Sequence, residues 1–137
     1  MLWDGFDPYF WWLSRKEYAA TVGNVSTIDE ADARVHLYKG YGHYTKLKAI
    51  QEPNEFRQLT QRVVDLNPQV VVEIGTAWGG TLFYWSRTIP ALRLLVSIDL
   101  PSGRDGGGYP NQRAKFFRHF VADRPQVRLE LMRENSQ

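Results

Sequence analysis

The chain has 137 residues, 43% of them hydrophobic and 14% aromatic, enough for one folded core without covalent staples. Its 17 basic residues are interspersed with 15 acidic ones, and the net charge of +2 argues against a dedicated nucleic-acid surface. The absence of cysteine excludes disulfides, thiolate nucleophiles and cysteine-bound metals.

Residues 1–20 hold Trp3, Phe6, Tyr9, Phe10, Trp11 and Trp12, followed by Leu13 to Tyr18. Their flanking charge is acidic, so an amphipathic helix covering a core or an oligomer interface is expected rather than a membrane-surface helix. The N-terminus lacks the basic region of a signal peptide, and no apolar run approaches the length of a membrane span. A soluble, cytoplasmic protein without a membrane or nucleic-acid partner is the expectation. Thr27-Ile28-Asp29-Glu30 fits a capping box, with the threonine hydroxyl and Glu30 each satisfying an orphan N–H. The helix it opens is predicted to run to about Tyr38 and to end at Gly40 and Gly42. Tyr44 to Ile50 alternates, as a short edge strand or an extended arm would. Pro53 then starts a helix with Phe56, Leu59, Val63 and Leu66 at helical spacing, stopped by Asn67-Pro68.

From Val70 the pattern becomes α/β. Val70 to Ile74 reads as a strand covered on both faces. Thr81 to Arg87 is a helix, Leu94 to Ile98 a second buried strand, and 101–109 a glycine-rich loop in which Arg104 and Asp105 could gate a substrate. Pro110 to Val121 is a helix burying Phe116, Phe117, Phe120 and Val121, and Val127 to Leu131 alternates as an edge strand should. The order predicts a Rossmann-like parallel sheet with strands arranged 3-2-1, half of a doubly wound fold. Residues 1–52 form an N-terminal helical, aromatic region and residues 53–137 the sheet half-domain.

The chemistry concentrates where the first strand ends. Gly75, Gly79 and Gly80 permit a sharp turn and close approach of the backbone to a ligand, with helix N–H groups facing it. Asp99 ends the second strand, where a carboxylate accepts both hydroxyls of a ribose. Position 77 is alanine, so the dinucleotide fingerprint G-x-G-x-x-G fails. No lysine follows Gly80, so the phosphate loop of nucleotide triphosphatases fails too. S-adenosylmethionine (SAM) carries a ribose and an amino-acid tail but no phosphate, and Glu73 is placed for its ammonium group. His36, His43 and His119 have no metal-ligand spacing, so no metal site is expected.

Val71 to Thr81 resembles motif I of the class I SAM-dependent methyltransferases, in the branch with cephalosporin hydroxylase-like and sugar O-methyltransferase-like proteins. Val96 to Pro101 with Gly106 to Pro110, and Arg133 to Gln137, resemble later segments of the same branch. The resemblance implies SAM as cofactor, a small-molecule or sugar acceptor, and contacts from Glu73, Gly75, Thr76, Ala77, Gly79, Asp99, Leu100, Asn135 and Ser136. Asn135 stands where the family usually has aspartate near the adenine. The family's fourth strand, with its metal ligands and catalytic base, has no counterpart in these residues. The implied function is therefore a truncated methyltransferase that binds SAM and relies on another segment or partner for catalysis, with catalytic residues unassigned. The alternative is a non-catalytic oligomerising module. The open edge of the first strand is expected either to be covered by Tyr44 to Ile50 or the aromatic N-terminus, or to pair two chains, with homo-oligomerisation through the aromatic N-terminus or that edge favoured.

Overall fold

A computed structural model describes residues 2–100 and 108–134. Arg104 and Asp105 of the glycine-rich loop, Asn135 and Ser136 lie outside the described residues, as does the side chain of Trp3.

The aromatic N-terminus forms helix α1 (Leu2–Thr21), with Pro8 inside it. Its rings serve two surfaces. Trp11 packs on Tyr44 and His119 at centroid distances of 4.8 and 5.5 Å, and Tyr18 is buried among Phe83, Phe116 and Phe120. Phe6, Tyr9 and Trp12 instead point to solvent. The capping box forms as expected: Glu30 N–H donates to Thr27 Oγ1 at 3.1 Å, and the Glu30 carboxylate accepts from Thr27 N–H at 3.2 Å. Helix α2 (Ile28–Arg34) is shorter than the sequence suggested, because the chain tightens into a 3-10 turn over Val35–Leu37. After a second 3-10 turn at Gly42–Tyr44, residues 45–50 run as an arm without strand pairing, interrupted at Lys46 by a left-handed backbone.

Helix α3 (Pro53–Leu66) is capped by the Glu52 carboxylate, which accepts from Glu55 N–H at 2.9 Å, and it begins on proline, whose missing N–H costs nothing in the first turn. It ends at Asn67, in the left-handed region that asparagine tolerates, and Asn67 Oδ1 accepts from Ala91 N–H at 2.9 Å. Strand β1 (Val70–Ile74), helix α4 (Gly80–Thr88), strand β2 (Leu94–Asp99), helix α5 (Asn111–His119) and strand β3 (Arg128–Arg133) follow. The three strands are parallel in the order β1-β2-β3, the 3-2-1 arrangement, with Glu73 opposite Ser97 and Asp99 opposite Arg133.

The two sheet faces differ. Leu95, Ser97 and Asp99 of β2 lie on the face that carries the core, where every residue of α4 is buried. Arg87 ties that helix to its surroundings: its guanidinium donates to the carbonyls of Gly23, Val25 and Phe120 and pairs with both oxygens of Asp123. On the opposite face β1 is left largely uncovered by the described residues. Val70, Val72 and Ile74 are 55, 56 and 68% exposed. The double coverage expected of β1 is therefore absent among the described residues, because their helices pack against one face only. The same cause leaves Leu59 and Leu66 of α3 exposed although Phe56, on the same helical stripe, is buried. The outer edge of β1 pairs with no other strand among the described residues.

Candidate functional site

The turn after β1 is built from alternating backbone hand. Gly75 N–H extends the ladder by donating to Ile98 C=O at 2.9 Å, after which Gly75, Ala77 and Gly79 take φ of 84°, 48° and 84°. Glycine adopts these angles freely, whereas alanine is strained there. The Ala77 N–H is held by Asp99 Oδ2 at 2.7 Å, which fixes this strained residue in place. The two ends of the turn face different surroundings. Among the described residues, a Cβ added to Gly75 would meet nothing within 4 Å. One added to Gly79 would lie 2.2 Å from the Phe117 ring, and one on Gly80 would lie 2.1 Å from the backbone of Lys48. Gly75 thus opens onto free space, and the other two glycines allow close packing of α4 against α5 and against the arm.

Two carboxylates border the Gly75 end. Asp99, at the end of β2 and 9% exposed, accepts from Ala77 N–H with one oxygen and from Leu100 N–H with the other, each at 2.7 Å. Glu73, on the same sheet face, accepts from the Thr76 hydroxyl at 3.2 Å. Thr76 is also hydrogen-bonded to the Ser97 hydroxyl, which lies 3.5 Å from the phenol oxygen of buried Tyr109. Burial pushes the Glu73 carboxyl up from 4.5 to about 7; the nearby charge of Asp99 adds to the rise and the Thr76 hydrogen bond opposes it. These acceptors therefore suit a ligand that brings hydroxyls and a cationic amine.

Of the residues expected at the site, the structure brings Glu73, Gly75, Thr76, Ala77, Asp99 and Leu100 together at the carboxyl ends of β1 and β2. Gly79 lies at the packed end of the turn. Trp78 is 46% exposed, with the Arg113 guanidinium 5.2 Å from its ring centroid.

Arg113 itself is the participant that sequence reasoning missed. It is 5% exposed and donates to the carbonyls of His43, Thr45, Lys46 and Trp78, at 3.0, 2.7, 2.6 and 2.5 Å. A single side chain thereby joins the arm to the glycine turn. No carboxylate pairs with it among the described residues, its Nε has no partner, and burial lowers its pKa to about 10. The signal lay in the helical spacing: position 113 shares the stripe of Phe116, Phe117 and Phe120, where a charged residue is out of place. Ser97 and Tyr109 were missed because only the folded sheet brings them to Thr76. Of the histidines, His119 is packed between Trp11 and Tyr18, and burial lowers its pKa. Among the described residues no group of three or more His, Asp or Glu converges as a metal site.

The family model described as Rhamnosyl O-methyltransferase/CmcI matches residues 37–115, more than half of the chain. The match covers the arm, α3, β1, the glycine turn, α4, β2 and the first part of α5. No individual curated protein and no solved structure matches. No described helix is long and apolar enough to cross a membrane.

Proposed function

Since the chain belongs to the rhamnosyl O-methyltransferase/CmcI family, we propose that it binds SAM at the Gly75 end of the turn and takes part in methyl transfer to an oxygen of a small molecule or sugar. The observation that carries this reading is that two carboxylates, Glu73 and Asp99, end neighbouring strands on one sheet face beside Gly75, whose missing side chain leaves open space among the described residues. SAM fits these acceptors: Asp99 would take the ribose hydroxyls, Glu73 the ammonium of the amino-acid tail, and the backbone at Gly75 and Leu100 the intervening surface. When bound, SAM supplies the activated methyl group. The chain's own residues hold and orient it, and transfer depends chiefly on lining up the acceptor oxygen with that group.

Glu73 gives the reading a pH signature. A carboxyl with a pKa of about 7 is largely protonated at pH 6 and must ionise to pair with an ammonium group, so SAM binding at pH 6 should release a proton. Affinity should accordingly rise from pH 5.5 to 7.5.

Calorimetric titration with SAM and S-adenosylhomocysteine tests the proposal. Saturable binding that Asp99→Ala weakens and Asp99→Asn weakens less supports it. No heat and no thermal shift at high ligand concentration would remove it, and equal binding by Asp99→Ala would place the ligand elsewhere.

A second reading has its own observation. The bare face of β1, its unpaired outer edge and the exposed Leu59 and Leu66 form an association template. On this reading the chain assembles with copies of itself, with or without catalysis. Sedimentation showing a stable monomer at high protein concentration would eliminate it.

A further inference from the structure

Next to the turn, along the arm, lies a groove that the cofactor reading does not use. At one end a cavity of about 350 Å3 is lined by Lys39, Lys46, Lys48 and His36 over the apolar side chains of Val35 and Leu47, and none of its lining residues is acidic. A neighbouring cavity of about 540 Å3 shares Val35, His36, Leu47 and Lys48 and continues to Gly80, the first residue of α4. Its one acid, Asp32, is already engaged, accepting from Tyr84 Oη at 2.5 Å and pairing with Arg57. The two cavities form one trough, basic at the Lys39 end and apolar along its floor.

Positive charge is in excess at the Lys39 end of this trough. Between Asp32 and Glu52 the sequence has no Asp or Glu, yet it carries the three lysines that line the trough, Lys39, Lys46 and Lys48. Among the described residues the ion pairs are those of Arg57, Arg87 and Arg128, so none neutralises these lysines. The Glu17 carboxylate, fixed by Lys39 N–H at 2.8 Å and Gly40 N–H at 2.9 Å, offsets part of this charge and leaves the three lysines in excess. Behind the wall, the buried Arg113 guanidinium, with no carboxylate partner, bonds the carbonyls of Thr45 and Lys46, which both line the cavity. Several like charges around one concavity repel one another, and an anion bound there relieves that repulsion. The apolar floor adds a requirement, because a bare inorganic ion would leave Val35 and Leu47 uncovered. The volume is that of a small-molecule site.

We propose that this trough binds a small organic anion, its carboxylate or phosphate against Lys39, Lys46 and Lys48 and its apolar body along Val35 and Leu47 toward Gly80. Its further role as the acceptor's binding site rests on the methyl-transfer reading above; the anion site itself does not.

The test is a 1H–15N NMR titration of the full chain, without SAM, using benzoate, phenyl phosphate and neutral benzyl alcohol. Saturable shifts at Val35, Leu47 and Lys48 are expected with benzoate or phenyl phosphate, and the stronger of the two identifies the head group. Benzyl alcohol should bind markedly more weakly, and added salt should weaken the anions. Lys39→Ala and Lys48→Ala, both exposed positions, should each reduce affinity up to about fivefold. Absence of saturable shifts, equal binding of benzyl alcohol, or shifts centred on Val72 and Ile98 of the bare sheet face would overturn the proposal. A parallel titration with SAM separates the two readings. SAM binding with a silent trough defeats only the anion site, whereas anion binding without SAM binding supports the site and removes its role as acceptor pocket.

Discussion

The two ends of the glycine turn, four residues apart, are made of the same residue type for opposite reasons. At Gly75 the missing side chain leaves open space beside Glu73 and Asp99, while at Gly79 it makes room for the Phe117 ring. Both residues have φ near 84°, so backbone conformation alone would exclude most residues from either. What separates them is what a methyl group would meet. A glycine motif thus mixes positions that serve a ligand with positions that serve packing, and only the surroundings tell them apart.

This contrast can be broken by substitution, and the largest effect is expected at the packed end. Gly79→Ala adds a clash with Phe117 to an unfavourable φ and should destabilise the protein by about 3 kcal/mol, measured by chemical denaturation. A loss equal to that of Gly75→Ala would erase the distinction between the ends. Arg113→Met tests the clamp that holds the packed end to the arm. It strands the carbonyls of His43, Thr45, Lys46 and Trp78 but also removes a buried unpaired charge, so a net loss of about 2 kcal/mol is expected. Gly75→Ala should cost only about 1 kcal/mol, from backbone strain without a clash, yet weaken SAM binding more than any change of stability explains.

Glu73 sharpens the other end. Its native pKa of about 7 lies above the ordinary 4.5, so the stability it contributes is complete below pH 4.5 and is lost as pH rises to about 7. Melting temperature followed across this window should fall in the wild type and fall less in Glu73→Gln; identical profiles would mean that Glu73 is not held protonated by its surroundings. The smallest effect is expected at Lys46, whose φ of 56° is unfavourable for a side-chain-bearing residue. Lys46→Gly should stabilise by about 0.5–1 kcal/mol while weakening anion binding in the trough, two shifts of opposite sign from one substitution.

The legible parts of this molecule were those written in local pattern. The continuous apolar run at Val70, the glycines after it and the acid at Asp99 fix strand, turn and strand end without reference to the rest of the chain, and the Thr27–Glu30 box fixes a helix start. What could not be read depends on neighbours distant in sequence. Apolar residues on both sides of β1 look the same whether one face or two are covered, so the exposure of Val72 and Ile74 was hidden. The partner of Gly79 lies 38 residues away on α5, at Phe117. Arg113 could have been suspected from its place on an aromatic stripe, but not its four carbonyls, which lie on the arm and the turn. The basic trough is hidden in the sequence because Lys39 precedes the Gly42–Tyr44 turn while Lys46 and Lys48 follow it, and the three converge only when the arm folds back.

The central claim is that a ligand occupies the Gly75 end of the turn and leaves the packed end untouched. Amide shifts on adding S-adenosylhomocysteine to the full chain test this residue by residue. Saturable shifts at Gly75, Thr76 and Leu100, with smaller ones at Gly79 and Gly80, are predicted. Shifts centred on Gly80 and Lys48, or none at all, would contradict the account.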